Sequence, residues 1–150
     1  MKKKYKIILI LLLLSYPCYK GFRELFWVEH YSYTINNSLE IKLRIDPDIT
    51  GFQDFDIDKT ITLFNKKTQA KNKISFTSLE PGLYFSLDNT DTPKILSIAD
   101  RFAGQNTYNY ATLQLTGSKD CLTEYGNCEG FRLNYDSLYL IYDDKGLHKY

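Results

Sequence analysis

Between Leu39 and Ile45 the chain alternates without a break. Leu39, Ile41, Leu43 and Ile45 are apolar, while Glu40, Lys42 and Arg44 are charged. A period of two sets four aliphatics on one face of a β-strand and the charges on the other; a helix would scatter both sets. The same period recurs at Tyr31 and Tyr33, which alternate with Ser32 and Thr34. It returns at Leu83, Phe85 and Leu87, which alternate with Tyr84, Ser86 and Asp88. Asn36-Asn37 between the first two runs suits a tight hairpin, because Asn tolerates the left-handed conformation. Thr60 to Phe64 and Lys73 to Leu79 read as a further pair across a polar loop. In Glu80-Pro81-Gly82, Pro presets the first central turn position and Gly permits positive φ at the second. A hairpin joining Lys73–Leu79 to Leu83–Leu87 is therefore predicted.

Tyr110 to Thr116 reads as a strand with Ala111, Leu113 and Leu115 inward. Leu138 to Tyr142 is apolar on both faces, as a central strand is, and Asp143 to Gly146 turns the chain into a last short strand, Leu147 to Tyr150. Thr92 to Gly104 is the exception. Ile95, Leu96, Ile98, Ala99, Phe102 and Ala103 share a helical face, with Thr92 as N-cap, Pro93 in the first turn and Gly104 as the stop. One short helix is expected there, with a strand as the alternative because Leu96, Ile98 and Phe102 also fit period two. About eight short strands separated by turns predict a mainly β chain, an antiparallel sandwich or barrel.

The N-terminus has a different composition. Lys2, Lys3, Lys4 and Lys6 precede an apolar run, Ile7 to Leu14, the pattern of an export signal. The stretch Ile7 to Tyr19 makes about 20 Å of helix against a hydrocarbon core of about 30 Å. Snorkelling lysines with Tyr5 and Phe22 extend its reach. Three fates stay open: cleavage near Ser15 or Gly21, retention as an anchor, or lipidation at Cys18, where Tyr16 and Pro17 stand in place of small residues. Residues 1–21 are thus expected to be a signal or anchor, and 22–150 one exported β-rich domain on the periplasmic side of the membrane. Phe22, Phe26 and Trp27 fit either the membrane interface or the start of the packed domain.

The whole chain carries a formal charge of +1, of which the four N-terminal lysines supply +4, leaving the rest near −3. A mildly acidic domain does not attract nucleic acid by counterion release. Lys66, Lys67, Lys71 and Lys73 form a cluster that reads as a solvated hairpin loop. Past Cys18 there are two cysteines, Cys121 and Cys128, in a turn-rich stretch. In an oxidising compartment they are expected to form one disulfide, bracing a loop that carries Tyr125.

No nucleophile elbow, zinc-protease motif, P-loop or dinucleotide fingerprint is present, and no cofactor is implied. His30 and His148 read as surface or packing residues. The stretch Asp46 to Asp58 resembles the calcium loop of an EF-hand, with Asp46, Asp48, Thr50, Gly51 and Asp54 at its first, third, fifth, sixth and ninth positions. Ile57 stands where the bidentate Glu belongs, and a strand precedes the loop instead of a helix. Tyrosines crowd the C-terminal third; Tyr108, Tyr110 and Tyr125 are candidates for a contact surface. Together these readings point to a small, non-catalytic envelope protein that docks on another envelope or secreted protein, as an immunity or inhibitor protein does. The alternative is a glycan-binding module, or a glycan hydrolase using a carboxylate pair such as Asp54 with Asp56.

Overall fold

A computed structural model describes residues 3–47, 57–78, 82–88, 94–100, 103–120 and 138–150, with residues 3–13 and 120 as backbone alone. Among these residues the chain is mainly β. A helix, α1 (Lys3–Phe26), leads into ten strands: β1 (Glu29–Ile35), β2 (Leu39–Pro47), β3 (Ile57–Asn65), β4 (Lys71–Ser78), β5 (Leu83–Asp88), β6 (Ile95–Asp100), β7 (Gly104–Asn109), β8 (Leu115–Asp120), β9 (Leu138–Asp143) and β10 (Gly146–Lys149). They form two antiparallel sheets, one in the order β1-β2-β3-β4 and the other β10-β9-β5-β6-β7-β8.

The first hairpin follows its sequence pattern. Asn36 and Asn37 both take positive φ, 48° and 55°, and Ser38 N donates to Ile35 O at 3.0 Å. That tight turn sets the register Tyr33↔Ile41 and Tyr31↔Leu43. In this register Leu39, Ile41, Leu43 and Ile45 all face inward, none more than 4% exposed. They meet Ile61, Leu63, Ile74 and Phe76 of the same sheet and Leu83, Phe85, Leu96, Ile98 and Leu140 of the other in one buried cluster. Two sheets sharing one apolar interior is the sandwich-like arrangement, and each fully buried Leu or Ile adds roughly 1.5–3 kcal/mol. Polar ties span the sheets at one end: Ser38 Oγ meets Tyr110 Oη at 2.8 Å, and Asn72 Nδ2 donates to Leu113 O at 2.8 Å.

Three expectations are corrected. The helix over Thr92–Gly104 is absent within the described part: Ile95–Asp100 is β6, Gly104 begins β7, and Thr92 and Pro93 lie outside the described residues. The run Ile95–Asp100 satisfies both periods. Ladder partners on either side, β5 and β7, settle it as a strand, with Leu96 and Ile98 fully buried. Of the predicted strand Tyr110–Thr116, residues 110–114 are instead the β7–β8 turn, and only Leu115 and Thr116 are strand, opening β8. Asn109 Oδ1 accepts from Ala111 N at 2.9 Å and Thr112 N at 3.1 Å, a side-chain substitute for strand pairing. Of its three inward candidates, Leu113 alone is buried, at φ 55°, while Leu115 is 56% exposed. Finally, Lys73–Ser78, the described part of the predicted Lys73–Leu79 strand, does not pair with Leu83–Leu87. β4 ends one sheet beside β3, and β5 lies inside the other between β6 and β9. The alternation Leu83, Phe85, Leu87 was legible; which sheet it joins was not, since either ladder would bury the same side chains.

α1 carries Pro17 within it and continues through Phe26. Phe22, Phe26 and Trp27 stay exposed and pack on one another, with Phe22–Phe26 centroids 4.5 Å apart. Leu14, Tyr16, Tyr19 and Leu25 are exposed too. Among the described residues no helix is long and apolar enough to cross a membrane.

Candidate functional site

Period two gives the four-stranded sheet a second, outward face. Register across its four strands places residues in three straight rows: His30, Arg44, Thr60 and Ser75; Ser32, Lys42, Thr62 and Lys73; Thr34, Glu40, Phe64 and Lys71. Neighbours within a row stand about 5 Å apart, close enough for side chains to act together. Two adjoining shallow depressions of about 400 and 380 Å³ lie over these rows and share Lys42 and Thr62. The first is lined by His30, Ser32, Arg44, Thr60 and Lys73, the second by Glu40, Phe64 and Lys71, and Lys42 between them pairs with Glu40 at 3.1 Å.

The end of this face nearest α1 is closed by an ionic network. Arg44 donates through Nη2 to Glu24 Oε2 at 2.8 Å and through Nη1 to Asp46 Oδ2 at 3.0 Å. Asp46 Oδ1 accepts from Arg23 Nη2 at 2.6 Å, and His30 Nε2 meets Glu24 Oε1 at 3.1 Å. The Arg44 hydrogen bond holds the Glu24 carboxyl below its ordinary range, and the same bond raises the Arg44 guanidinium. Charge in that corner is therefore matched within the chain. Along the opposite edge Lys71 and Lys73 point outward and are exposed, next to exposed Lys66 and Lys67 in the β3–β4 loop.

A second polar group lies between the sheets, at the level of this closed end. Lys59 Nζ donates to Asp100 Oδ2 at 2.6 Å and to Ser78 Oγ at 2.7 Å. Ser78 Oγ donates to the same Asp100 oxygen at 3.0 Å, and Ala103 N donates to Asp100 Oδ1 at 3.0 Å. Lys59 and Asp100 are 0% exposed and Ser78 6%. Sequence reading missed this group because it began the strand at Thr60. One residue earlier, Lys59 continues the inward series Ile61, Leu63, Asn65, and a charge at an inward position is a signal of an internal partner.

A third cluster joins the sheets nearby. Tyr31 Oη donates to Glu29 Oε2 at 2.6 Å, and its ring lies on that of Tyr142, with centroids 5.4 Å apart. Gly146, at φ +84°, leaves room for this ring; a Cβ there would come within 3.0 Å of it. The carboxylate hydrogen bond raises the Tyr31 phenol from 10.0 to about 12. A raised phenol is held protonated by the fold, so its contribution is complete below pH 10 and is lost as pH rises from 10 to about 12. In a base titration followed by tyrosinate absorbance, Tyr31→Phe is expected to remove one late-ionising phenol near pH 12. An unchanged late fraction would refute the assignment.

The residues singled out in the sequence are dispersed. Tyr108 is 3% exposed and Tyr110 is half-buried against the core, so neither presents a free ring. Burial raises the Tyr108 phenol. Asp46 is in β2 with both carboxylate oxygens on arginines. Asp48, Thr50, Asp54, Asp56, Cys121, Tyr125 and Cys128 lie outside the described residues. Cys18 is exposed on α1. His148 Nδ1 lies 3.0 Å from Gly146 O. Among the described residues no three His, Cys, Asp or Glu side chains gather as a metal site. The chain matches no family model, and comparison with curated proteins and with solved structures likewise gives no match.

Proposed function

We propose that this protein is a non-catalytic binding module of the bacterial envelope, and that the outward face of β1–β4 docks on an acidic surface of another protein. The observation that carries this reading is the arrangement of Lys71 and Lys73 beside the hydroxyl-lined rows, while the opposite corner is neutralised internally by Glu24 and Asp46. A broad, shallow, polar face suits a protein surface of opposite charge more than it suits an enclosed small molecule. The lysine-rich, apolar N-terminal segment supports the export reading, and the exposed side chains of Leu14, Tyr19, Phe22 and Phe26 along α1 suit contact with lipid.

The partner is captured by crosslinking from an envelope extract and then measured as a purified pair. Lys71→Glu with Lys73→Glu is expected to weaken binding about tenfold or more and flatten its salt dependence, with thermal stability unchanged. Binding that ignores the exchange would exclude this face. Affinity for purified envelope glycan that ignores both the exchange and salt would favour the glycan-binding alternative.

A further inference from the structure

We infer that Lys59 and Asp100 condense to an intramolecular amide, a covalent cross-link between the two sheets, with Ser78 relaying the proton. The inference is independent of what the outer face binds.

Three features of the buried group favour this reaction over a permanent ion pair. The first is approach. Lys59 Nζ is 2.6 Å from Asp100 Oδ2, so the nucleophile is already beside the carboxyl group it would attack. Lys59 is on β3 and Asp100 ends β6, and both strands are fixed by ladder partners. Holding two reactants in contact in this way replaces a bimolecular encounter.

The second is dryness. In water an amine and a carboxylic acid are both charged and do not condense. Here both side chains are 0% exposed. Transfer of one proton from Nζ to Oδ2 along the 2.6 Å hydrogen bond gives the uncharged amine and acid, which is the reactive pair, and bulk solvent does not reach either group.

The third is the placement of the helpers. Ser78 Oγ accepts from Lys59 Nζ at 2.7 Å and donates to Asp100 Oδ2 at 3.0 Å, so one hydroxyl touches both the atom that loses protons and the atom that must gain them. Ala103 N–H points at the other oxygen, Oδ1, at 3.0 Å. That oxygen takes on negative charge when Nζ adds to the carboxyl carbon, and a backbone N–H aimed at it is the donor such an intermediate needs.

The step balances within the chain. The new bond is Nζ–Cγ and the broken one is Cγ–Oδ2. Of the three ammonium hydrogens one stays on the amide nitrogen; the other two leave with Oδ2 as water. No oxidant, reductant or cofactor takes part, and the net charge of the protein is unchanged.

The full-length protein is digested and its peptides are weighed. The expected result is one joined pair of peptides, containing Lys59 and Asp100, lighter by one water than their sum, with no trypsin cleavage after Lys59. Asp100→Asn is expected to reach the same joined product, now by loss of ammonia, because the amide formed is identical. Asp100→Ala and Lys59→Arg are expected to give only separate peptides. In Ser78→Ala, sampled over time after synthesis, the joined pair should accumulate at least tenfold more slowly. Separate Lys59 and Asp100 peptides from the unaltered protein would overturn the inference. Cross-linking of Ser78→Ala at the unaltered rate would overturn the relay and the route built on it.

Discussion

Phe85→Ala is expected to lower the unfolding free energy by about 3–5 kcal/mol, the range for emptying a packed aromatic site. Phe85 is fully buried on β5, which lies inside the six-stranded sheet between β6 and β9. Its ring therefore has strands on both sides and the opposing sheet above it, and little can collapse into the space it leaves. Pairing between β5 and β9 shifts register just after Phe85, so the ladder there is already irregular and gives the cavity no regular neighbour to close it. For a domain of this size the loss corresponds to a fall of roughly 10–20 °C in Tm. Leu87→Ala removes fewer atoms at the same strand's end and should cost less. Urea unfolding of the two variants would check the order; a Phe85→Ala loss below about 1.5 kcal/mol would mean that the sheets are not packed on this ring.

Asp100→Ala is expected to be as damaging, for an electrostatic reason. It removes the carboxyl group that Lys59 Nζ meets at 2.6 Å, at a place where both side chains are 0% exposed. Removing one partner of a buried pair costs about 3–5 kcal/mol. Loss of the cross-link adds to this. Exchanging both residues, Lys59→Met with Asp100→Leu, should recover the portion due to the buried charge of Lys59, because two apolar side chains carry no charge into the interior. Chemical unfolding of the single and double variants separates the two contributions. If the double variant is no better than Asp100→Ala, the buried charge of Lys59 is not the cause.

These two sites show how far the sequence was legible. Phe85 was assigned inward by its alternation with Tyr84 and Ser86, and it is inward. Strict period two survives folding because it needs only one buried face, whichever strands flank it. Pairing partners are a different kind of information. The ladder from β5 to β9 joins residues far apart in the chain, and no local pattern marks it. β7 was invisible for a related reason. Of Gly104–Asn109 only Gly104 and Tyr108 are buried, so backbone pairing with β6 and β8, not hydrophobic patterning, makes it a strand. On the outer face, Lys42 and Arg44 were read as solvent-directed from the same alternation. Lys71 was read as part of a loop and Lys73 as the head of the next strand; both stand on β4, because the turn at residues 66–68 is shorter than the polar stretch around it.

The route of the chain through the two sheets also sets an order of assembly. β1 to β4 form a meander in which every ladder joins strands adjacent in sequence. A chain delivered N-terminus first from the ribosome can complete the ladders of that sheet once Ser78 has emerged. Short-range pairing of this kind is fast, whereas the β5–β9 ladder must wait until Leu138 is available and then close a long loop. During that wait the aliphatic face built from Leu39, Ile41, Leu43, Ile61 and Leu63 has no covering layer. The half-made molecule is thus ordered in its backbone and adhesive on one side, the state in which a nascent chain most needs a holding chaperone or a slow, uncrowded exit.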